Sequence, residues 1–161
     1  MGTTKSGRTL NTKGAQGIAS KFSIVHSNEG AYTKPQKGNR IRLKSGGHGQ
    51  AGMNELDKYG IRYKVEKTYP NGVRVGHIID HTNKSKRKSM GQAWFPKNWT
   101  SKDIKHAGEH VVHLKQNNHA KDGQKIFGMW KGVRVGVIKT NGRIGTIFPD
   151  SNQPYKKGGK R

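Results

Sequence analysis

The sequence predicts an α+β fold, in which small antiparallel sheets, a hairpin plus a three-stranded meander, pack with two helices. Two segments carry apolar residues at helical spacing, others alternate apolar with polar residues, and tight-turn dipeptides separate the alternating runs. No apolar stretch approaches ~18 residues, so we expect no membrane anchor. Residues 21–150 are expected to form one domain.

The two predicted helices have recognisable ends. The first covers residues 49–59, and Gly60 would supply its left-handed C-cap. Its apolar residues recur at helical spacing: Met53, Leu56 and Tyr59. The second covers residues 101–114 and opens with Thr100 and Asp103 at the spacing of a capping box. Its apolar stripe consists of Ile104, Ala107, Val111 and Leu114.

The predicted strands form two groups. Residues 61–69 and 73–79 alternate on either side of a Pro-Asn-Gly turn, which predicts a hairpin. His77 and His81 would lie in phase on the apolar side of this hairpin. The meander is expected to contain three strands, residues 126–130, 133–139 and 143–148, joined by Lys-Gly and Asn-Gly turns.

The charge of the chain predicts a polyanionic partner. Lys and Arg number 32 against 9 Asp and Glu, a formal net charge of +23, and such a surface releases counterions when it binds phosphates. Only 29% of the residues are hydrophobic, so we expect a flexible arm at residues 1–20 and a basic tail at residues 151–161. The absence of cysteine excludes disulfides and thiolate catalysis.

Three of the eight histidines are candidates for proton transfer. His48 follows Gly47, where a backbone without side chains can approach a phosphate, and it precedes a helix whose N-terminal amides favour anions. His77 and His81 would lie on the buried side of the hairpin, where an imidazole is costly unless it lines a cleft. The other five, His26 among them, are assigned to solvated surfaces.

Two sequence blocks carry a resemblance to a known family. They read Gln-Ala-Trp-Phe-Pro-Lys-Asn-Trp at residues 92–99 and Arg-Ile-Gly-Thr-Ile-Phe-Pro at residues 143–149. The blocks resemble those that flank the active cleft in bacterial EndoU-type ribonuclease toxin domains, and the resemblance extends over residues 45–149. That family belongs to a wider group of ribonuclease folds with barnase, the colicin ribonucleases and RelE.

The resemblance implies a pair of histidines that transfer protons and a lysine that assists them. By motif, the first histidine is His48, and the second is His81 or His77. His81 is favoured because it lies nearer the basic segment, residues 84–88, that leads to residues 94–96. The assisting lysine would be Lys84 or Lys86, since both fall between that histidine and the Phe-Pro block.

The resemblance also implies contacts with RNA. Thr146 matches a threonine that contacts the base and phosphate together with a late aromatic residue. Phe148 stands where a tyrosine is common, so it could stack on a base without donating a hydrogen bond. Arg87, Lys88 and Gly47 would complete the RNA-binding set.

Taken with its charge, the chain is expected to be a metal-independent endoribonuclease toxin without a cofactor. It would cleave RNA, with transfer RNA among the candidates, by attack of the 2'-hydroxyl to give a 2',3'-cyclic phosphate. Family members are commonly C-terminal domains of larger secreted toxins that act in the cytoplasm of the target cell. A cognate immunity protein neutralises them, and the charge of this chain implies an acidic one.

Two other functions are compatible with the sequence. Asp80 and His81, followed by Asn98 and by His106 or His110, loosely suggest the metal-binding hairpin and helix of an HNH-type nuclease. Such an enzyme would require a divalent ion and could cut DNA. A non-enzymatic RNA-binding protein of ribosomal type would use the charge and the glycine-rich loops alone, and it needs no histidine pair.

Overall fold

The computed structural model describes residues 17–154 of the chain. Most of the expected arm and tail, residues 1–16 and 155–161, lies outside the described residues. The helices are α1 (Lys21–Asn28), α2 (Gln50–Tyr59), α3 (Lys84–Arg87) and α4 (Ser101–His113), and a 3-10 turn covers Lys115–Asn117. The strands are β1 (Ala31–Tyr32), β2 (Leu43–Ser45), β3 (Tyr63–Thr68), β4 (Arg74–Ile78), β5 (Gln92–Trp94), β6 (Lys125–Trp130), β7 (Val133–Thr140) and β8 (Arg143–Pro149).

Both predicted helices are confirmed, as α2 and α4, with the ends that the sequence indicates. Gly60 closes α2 in the left-handed conformation, with φ of 68°. Thr100 and Asp103 form a reciprocal capping box at the start of α4. Helices α1 and α3 were not predicted. The buried residues of α1 are polar, so no apolar stripe marks this helix in the sequence.

The strands of the described region form three antiparallel sheets, of two, three and three strands. The predicted α+β class is confirmed, with the hairpin as β3–β4 and the meander as β6–β7–β8. Strand β5 extends the hairpin to a third strand, pairing Ala93 with Val75 of β4. The alternation predicted for residues 73–79 breaks at the end of β4, because Ile78 is fully buried whereas Ile79 is 43% exposed.

Two apolar clusters form the core. The larger joins α4 to both three-stranded sheets and includes Ile104, Val135 and Ile147. The smaller packs α2 against the opposite face of the β3–β5 sheet. Neighbouring residues of β5 supply the two clusters, Ala93 the larger and Trp94 the smaller. This sheet is therefore buried on both faces where β5 crosses it, which places β5 and the adjoining end of β4 inside the molecule.

Helix α1 connects the N-terminal part of the fold to the last strand. The Ser23 hydroxyl donates a hydrogen bond to the carbonyl oxygen of Ile144 at 2.6 Å. The backbone N–H of Ile147 donates to the Ser27 hydroxyl oxygen at 2.9 Å. Both hydrogen bonds are buried, so water does not compete for the groups that form them. Helix α1 is therefore held across β8 by serine hydroxyls rather than by an apolar stripe.

The described residues at either end of the domain also contact the fold. Ala19 is buried, and its N–H donates to the Glu109 carboxylate at 2.9 Å. Ser20 caps α1 by accepting a hydrogen bond from the N–H of Ser23. After β8, the buried Gln153 amide donates to the carbonyl oxygen of Arg134 at 3.0 Å. The packed region thus extends beyond residues 21–150 at both ends.

Candidate active site

A loop of two glycines places His48 directly before α2. Gly46 and Gly47 have φ of 70° and 72°, which glycine adopts without strain. The N–H groups of Gly47 and His48 donate to the carbonyl oxygens of His26 and Ser27, at 3.0 and 2.6 Å. A Cβ atom on Gly46 would collide with the His26 carbonyl oxygen. The loop therefore caps the C-terminal end of α1 and fixes the position of His48.

The ring of His48 is buried and oriented by one strong contact. Its Nδ1 atom lies 2.8 Å from the carbonyl oxygen of Ala93 in β5. A carbonyl oxygen can only accept, so we assign the proton to Nδ1 and the lone pair to Nε2. Burial, followed by the positive charge of Lys86, lowers the pKa of His48 to about 3. His48 is therefore neutral near pH 7, with a free acceptor at Nε2.

His81 lies just after β4, where the chain is held from two sides. The Leu43 N–H donates to the Asp80 carbonyl oxygen at 3.1 Å, and the Thr82 N–H donates to the Leu43 carbonyl oxygen at 2.9 Å. Arg62 donates to both carboxylate oxygens of Asp80, at 2.7 and 3.0 Å. A bidentate pair of this kind is geometrically specific, so the backbone around His81 is well determined.

The ring of His81 has the opposite proton arrangement to that of His48. Its Nδ1 atom accepts a hydrogen bond from the backbone N–H of Asn83 at 2.8 Å, so the neutral ring carries its proton on Nε2. That Nε2 atom is buried and has no hydrogen-bond partner among residues 17–154. Burial, then the charges of Lys86 and Arg87, lower the pKa of His81 to about 4. His81 thus presents an unpaired N–H donor near pH 7.

Helix α3 brings one lysine of the basic segment toward the two histidines. Lys86 is half-buried, whereas Lys84, Arg87 and Lys88 are exposed. Burial, and then the nearby charge of Lys125, lower the pKa of Lys86 to about 8. The charge of Lys86 also acts on both His48 and His81. Its partial burial and its electrostatic influence on both rings therefore favour Lys86 over Lys84 as the lysine that accompanies the pair.

The last strand supplies an aromatic wall. The ring centroid of Phe148 lies 6.0 Å from that of His48, and the ammonium of Lys125 lies 5.9 Å from the Phe148 centroid. Thr146 lies two residues earlier in β8 and hence on the same face of the strand. Thr146 lines a neighbouring cleft.

His77 and Arg87 have other partners. The Nδ1 atom of His77 lies 3.1 Å from the Glu66 carboxylate, so His77 is not grouped with His48 and His81. Arg87 donates to the carbonyl oxygen of His81 at 2.8 Å and thereby supports the backbone next to the ring. Glu66 also accepts hydrogen bonds from the backbone N–H of Met90 and the side-chain hydroxyl of the residue before it.

Three residues near the pair were not selected from the sequence. Gln92 is buried, and its amide nitrogen lies 3.3 Å from the Gly46 carbonyl oxygen and 3.4 Å from Nδ1 of His48. Lys125 reaches the site from the start of β6, and His26 lies beneath the glycine loop. Gln92 belongs to a block that the sequence singles out, but Lys125 and His26 have no local signal and are placed by tertiary contacts alone.

Comparison with known proteins identifies the class of this site. Residues 23–151 match the family model described as bacterial EndoU nuclease. No curated protein and no solved structure matches the chain significantly. The matched range covers most of the chain and includes His48, His81, Lys86 and Phe148. The chain belongs to the bacterial EndoU nuclease family and is a nuclease.

None of the helices within residues 17–154 combines the length and apolar composition needed to cross a membrane. The same residues contain no group of three or more His, Asp or Glu side chains placed to hold a metal ion.

Proposed function

We propose that this nuclease is an endoribonuclease that cleaves RNA by intramolecular attack of the 2'-hydroxyl, without a metal ion, to give a 2',3'-cyclic phosphate. The observation that carries this proposal is a set of two buried histidines with opposite proton assignments, both of which lie within reach of the charge of Lys86. Such a reaction needs a base for the 2'-hydroxyl proton, an acid for the departing 5'-oxygen and a cation for the charge on the phosphoryl group.

The hydrogen bonds of the rings suggest how the roles are divided. The lone pair on Nε2 of His48 accepts the 2'-hydroxyl proton while the 2'-oxygen forms its bond to phosphorus. The bond from phosphorus to the 5'-oxygen breaks, and that oxygen takes the Nε2 proton of His81, which reacts as the imidazolium because the bound phosphate favours its charged form and which ends as the neutral ring. The ammonium of Lys86 faces the phosphoryl oxygens, whose charge increases in the transition state. Proton exchange with solvent then restores both rings.

Binding of a phosphodiester would favour this chemistry. Burial, and then the charge of Lys86, lower the pKa of both histidines, and the negative charge of a bound phosphate offsets the second of these influences. The aromatic wall at Phe148 would stack on a base, and the exposed Lys84, Arg87 and Lys88 would attract the backbone. A phenylalanine cannot donate a hydrogen bond to a base, so selection among bases would depend on shape and stacking.

A toxin role is part of the proposal. The family resemblance, together with a net charge of +23, supports a domain that is delivered as the C-terminal part of a larger bacterial toxin and acts on RNA in the target-cell cytoplasm. Transfer RNA is one candidate substrate. An acidic immunity protein would be attracted by the same charges that attract RNA, and it would inhibit by covering the histidine pair.

The HNH-type alternative receives less support from the side chains. The Asp80 carboxylate is occupied by the guanidinium of Arg62, which also lowers the pKa of Asp80. His106 lies on α4, with its ring 6.4 Å from that of Trp130. A role as a non-enzymatic RNA-binding protein is less compatible with membership of a nuclease family, and it does not require the buried histidine pair.

The first experiment incubates the purified chain with total RNA and with duplex DNA in the presence of EDTA and identifies the fragment ends. We expect RNA cleavage to 2',3'-cyclic phosphate ends and no cleavage of DNA. Cleavage that appears only after Mg²⁺ or Mn²⁺ is restored would contradict the proposal and support the metal-dependent alternative. Inactivity under all conditions would support a binding protein.

The second experiment compares His48→Ala and His81→Ala with His119→Ala, a control in an exposed loop. We expect each site variant to lose ~10²- to 10⁴-fold in kcat/KM, the usual contribution of a general acid or base, while the control keeps parental activity. Circular dichroism checks that the variants are folded. Parental activity in a folded His48 or His81 variant would remove that residue from the mechanism.

A further inference from the structure

A cleft of about 850 Å³ lies between α1 and the hairpin of β7 and β8. Its walls include Phe22 and His26 from α1, and Arg143 and Thr146 from β8. Ser20, Ser23 and Thr140 also line the cleft, and its lining within residues 17–154 contains no Asp or Glu. The cleft thus combines aromatic, cationic and hydrogen-bonding groups, with a charge that suits an anion.

The cleft adjoins the candidate active site. Thr146 lines it, and Phe148 on the same face of β8 contacts the ring of His48. His26 also lines it, and the carbonyl oxygen of this residue receives the N–H of Gly47 in the loop before His48. A chain that passes between the two catalytic histidines would therefore need to advance only a short distance along β8 to enter the cleft.

One wall of the cleft contains an aromatic ring that is exposed rather than packed in the core. The Phe22 side chain is 80% exposed, and the residues that α1 buries are polar instead. Its ring is stacked with that of His26, at 6.3 Å between centroids and an interplanar angle of 21°. Exposed aromatic rings next to cationic groups are the usual platforms on which the bases of single-stranded nucleic acid stack.

We propose that this cleft binds nucleotides of a single-stranded RNA that lie beyond the two flanking the scissile phosphate, with a base stacked on Phe22 and a phosphate beside Arg143. The proposal rests on the ribonuclease function proposed above. The volume of the cleft falls within the range of ~300 to 1,000 Å³ that small-molecule sites occupy. Among the described residues, the lining includes Arg143 and no carboxylate, which favours an anionic occupant. The stacked rings of Phe22 and His26 favour nucleotide bases over an acidic protein segment.

The proposal predicts that Phe22 contributes to the binding and cleavage of a long RNA substrate but not to the cleavage of a short one. We would measure kcat/KM for a dinucleotide and for a hexanucleotide of RNA, and the Kd of a 2'-O-methyl hexanucleotide that cannot be cleaved. Loss of one stacking platform corresponds to ~1 to 3 kcal/mol, or roughly 5- to 150-fold. We expect Phe22→Ala to lower kcat/KM for the hexanucleotide and to raise the Kd by that factor, with the dinucleotide cleaved as by the parent.

Two control variants distinguish stacking from general changes of the surface. Phe22→Tyr keeps an aromatic ring and should retain the parental values. Val25→Ala removes an exposed apolar side chain of the same helix that does not line the cleft, and should have no effect. Because Phe22 is mostly exposed, its substitutions should leave the free energy of unfolding unchanged within ~0.5 kcal/mol.

Either outcome for the oligonucleotides is decisive. If Phe22→Ala keeps the parental Kd and the parental hexanucleotide kcat/KM, the cleft does not bind RNA, and a protein partner becomes its alternative occupant. If the parent cleaves no RNA, the proposed function fails, but the Kd of the 2'-O-methyl hexanucleotide still tests the cleft. A raised Kd in Phe22→Ala would then support the cleft independently of catalysis.

Discussion

Acid should destabilise this protein because His48 and His81 are buried and neither ring forms an ion pair within residues 17–154. Both have a pKa well below the ordinary value of 6.5, at about 3 for His48 and about 4 for His81. At pH values between 6.5 and these folded-state values, the unfolded chain binds a proton at each histidine and the folded chain does not. The free energy of unfolding therefore decreases as the pH falls below ~6.5, and it is unaffected by these groups above that pH.

The expected size of the effect follows from the two pKa values. Each histidine contributes a slope of ~1.4 kcal/mol per pH unit, so two pH units correspond to ~3 kcal/mol for each. Both folded-state values lie below ~pH 4.5, so the slope persists for both rings across this interval. A combined loss of ~5 to 6 kcal/mol is large compared with the ~5 to 15 kcal/mol stability of a typical domain.

The assay is urea unfolding at about pH 7.5 and about pH 4.5, followed by tryptophan fluorescence, which the fully buried Trp94 makes sensitive to unfolding. His48→Gln and His81→Gln should each reduce the difference between the two pH values by ~3 kcal/mol. His119→Gln, which removes an exposed loop histidine, should keep the parental difference. An unreduced difference in both site variants would refute the assignment of two neutral, buried histidines.

Two further predictions concern the elements that hold the site. Glu66 of β3 accepts hydrogen bonds from the Ser89 hydroxyl and the Met90 N–H, and so holds the end of the basic segment against β3. We expect Glu66→Gln to lower the rate of RNA cleavage ~10- to 100-fold because it displaces Lys86. The control Glu29→Gln, at an exposed position, should keep the parental rate. Equal rates for the two variants would contradict this role of Glu66. Gly108 of α4 packs against Ile147, and an added Cβ would lie 2.7 Å from Cγ1 of that side chain. We expect Gly108→Ala to destabilise the fold by ~1 to 2 kcal/mol in urea unfolding, since the crowding outweighs the ~1 kcal/mol gain in helix propensity; a stabilised variant would show that β8 yields.

The parts of the fold that were predictable depend on interactions between residues close in sequence. The capping box at Thr100 and the left-handed Gly60 act within one turn of their helices, so their residue types reveal them. The turns of the meander likewise depend on adjacent residues. Helix α1 was not predicted because Ser23 and Ser27 form hydrogen bonds with β8, more than 100 residues later in the sequence. No local sequence pattern indicates such a bond.

The candidate site shows the same division. His48 was identifiable because a pair of glycines and a helix start surround it in the sequence. The choice between His77 and His81 could not be made from the strand alternation, since the alternation breaks at Ile78 and Ile79. Contact of His77 with Glu66 and burial of His81 distinguish the two histidines in space. The roles of His48 and His81 in catalysis stay predictions that the alanine variants above can test, and the roles of Lys86 and Thr146 stay predictions as well.

The sequence by itself determined the α+β class, the ends of the two main helices, the meander, the basic character and the resemblance to EndoU nucleases. These properties depend on composition, on periodicity and on short motifs, all of which are local. Tertiary structure alone decided which lysine approaches the histidines, how each imidazole carries its proton, and that Phe22 and Arg143 share a cleft. Proton position and burial depend on atoms from distant segments, such as the carbonyl oxygen of Ala93 beside His48, and only the folded chain brings those atoms within hydrogen-bonding distance.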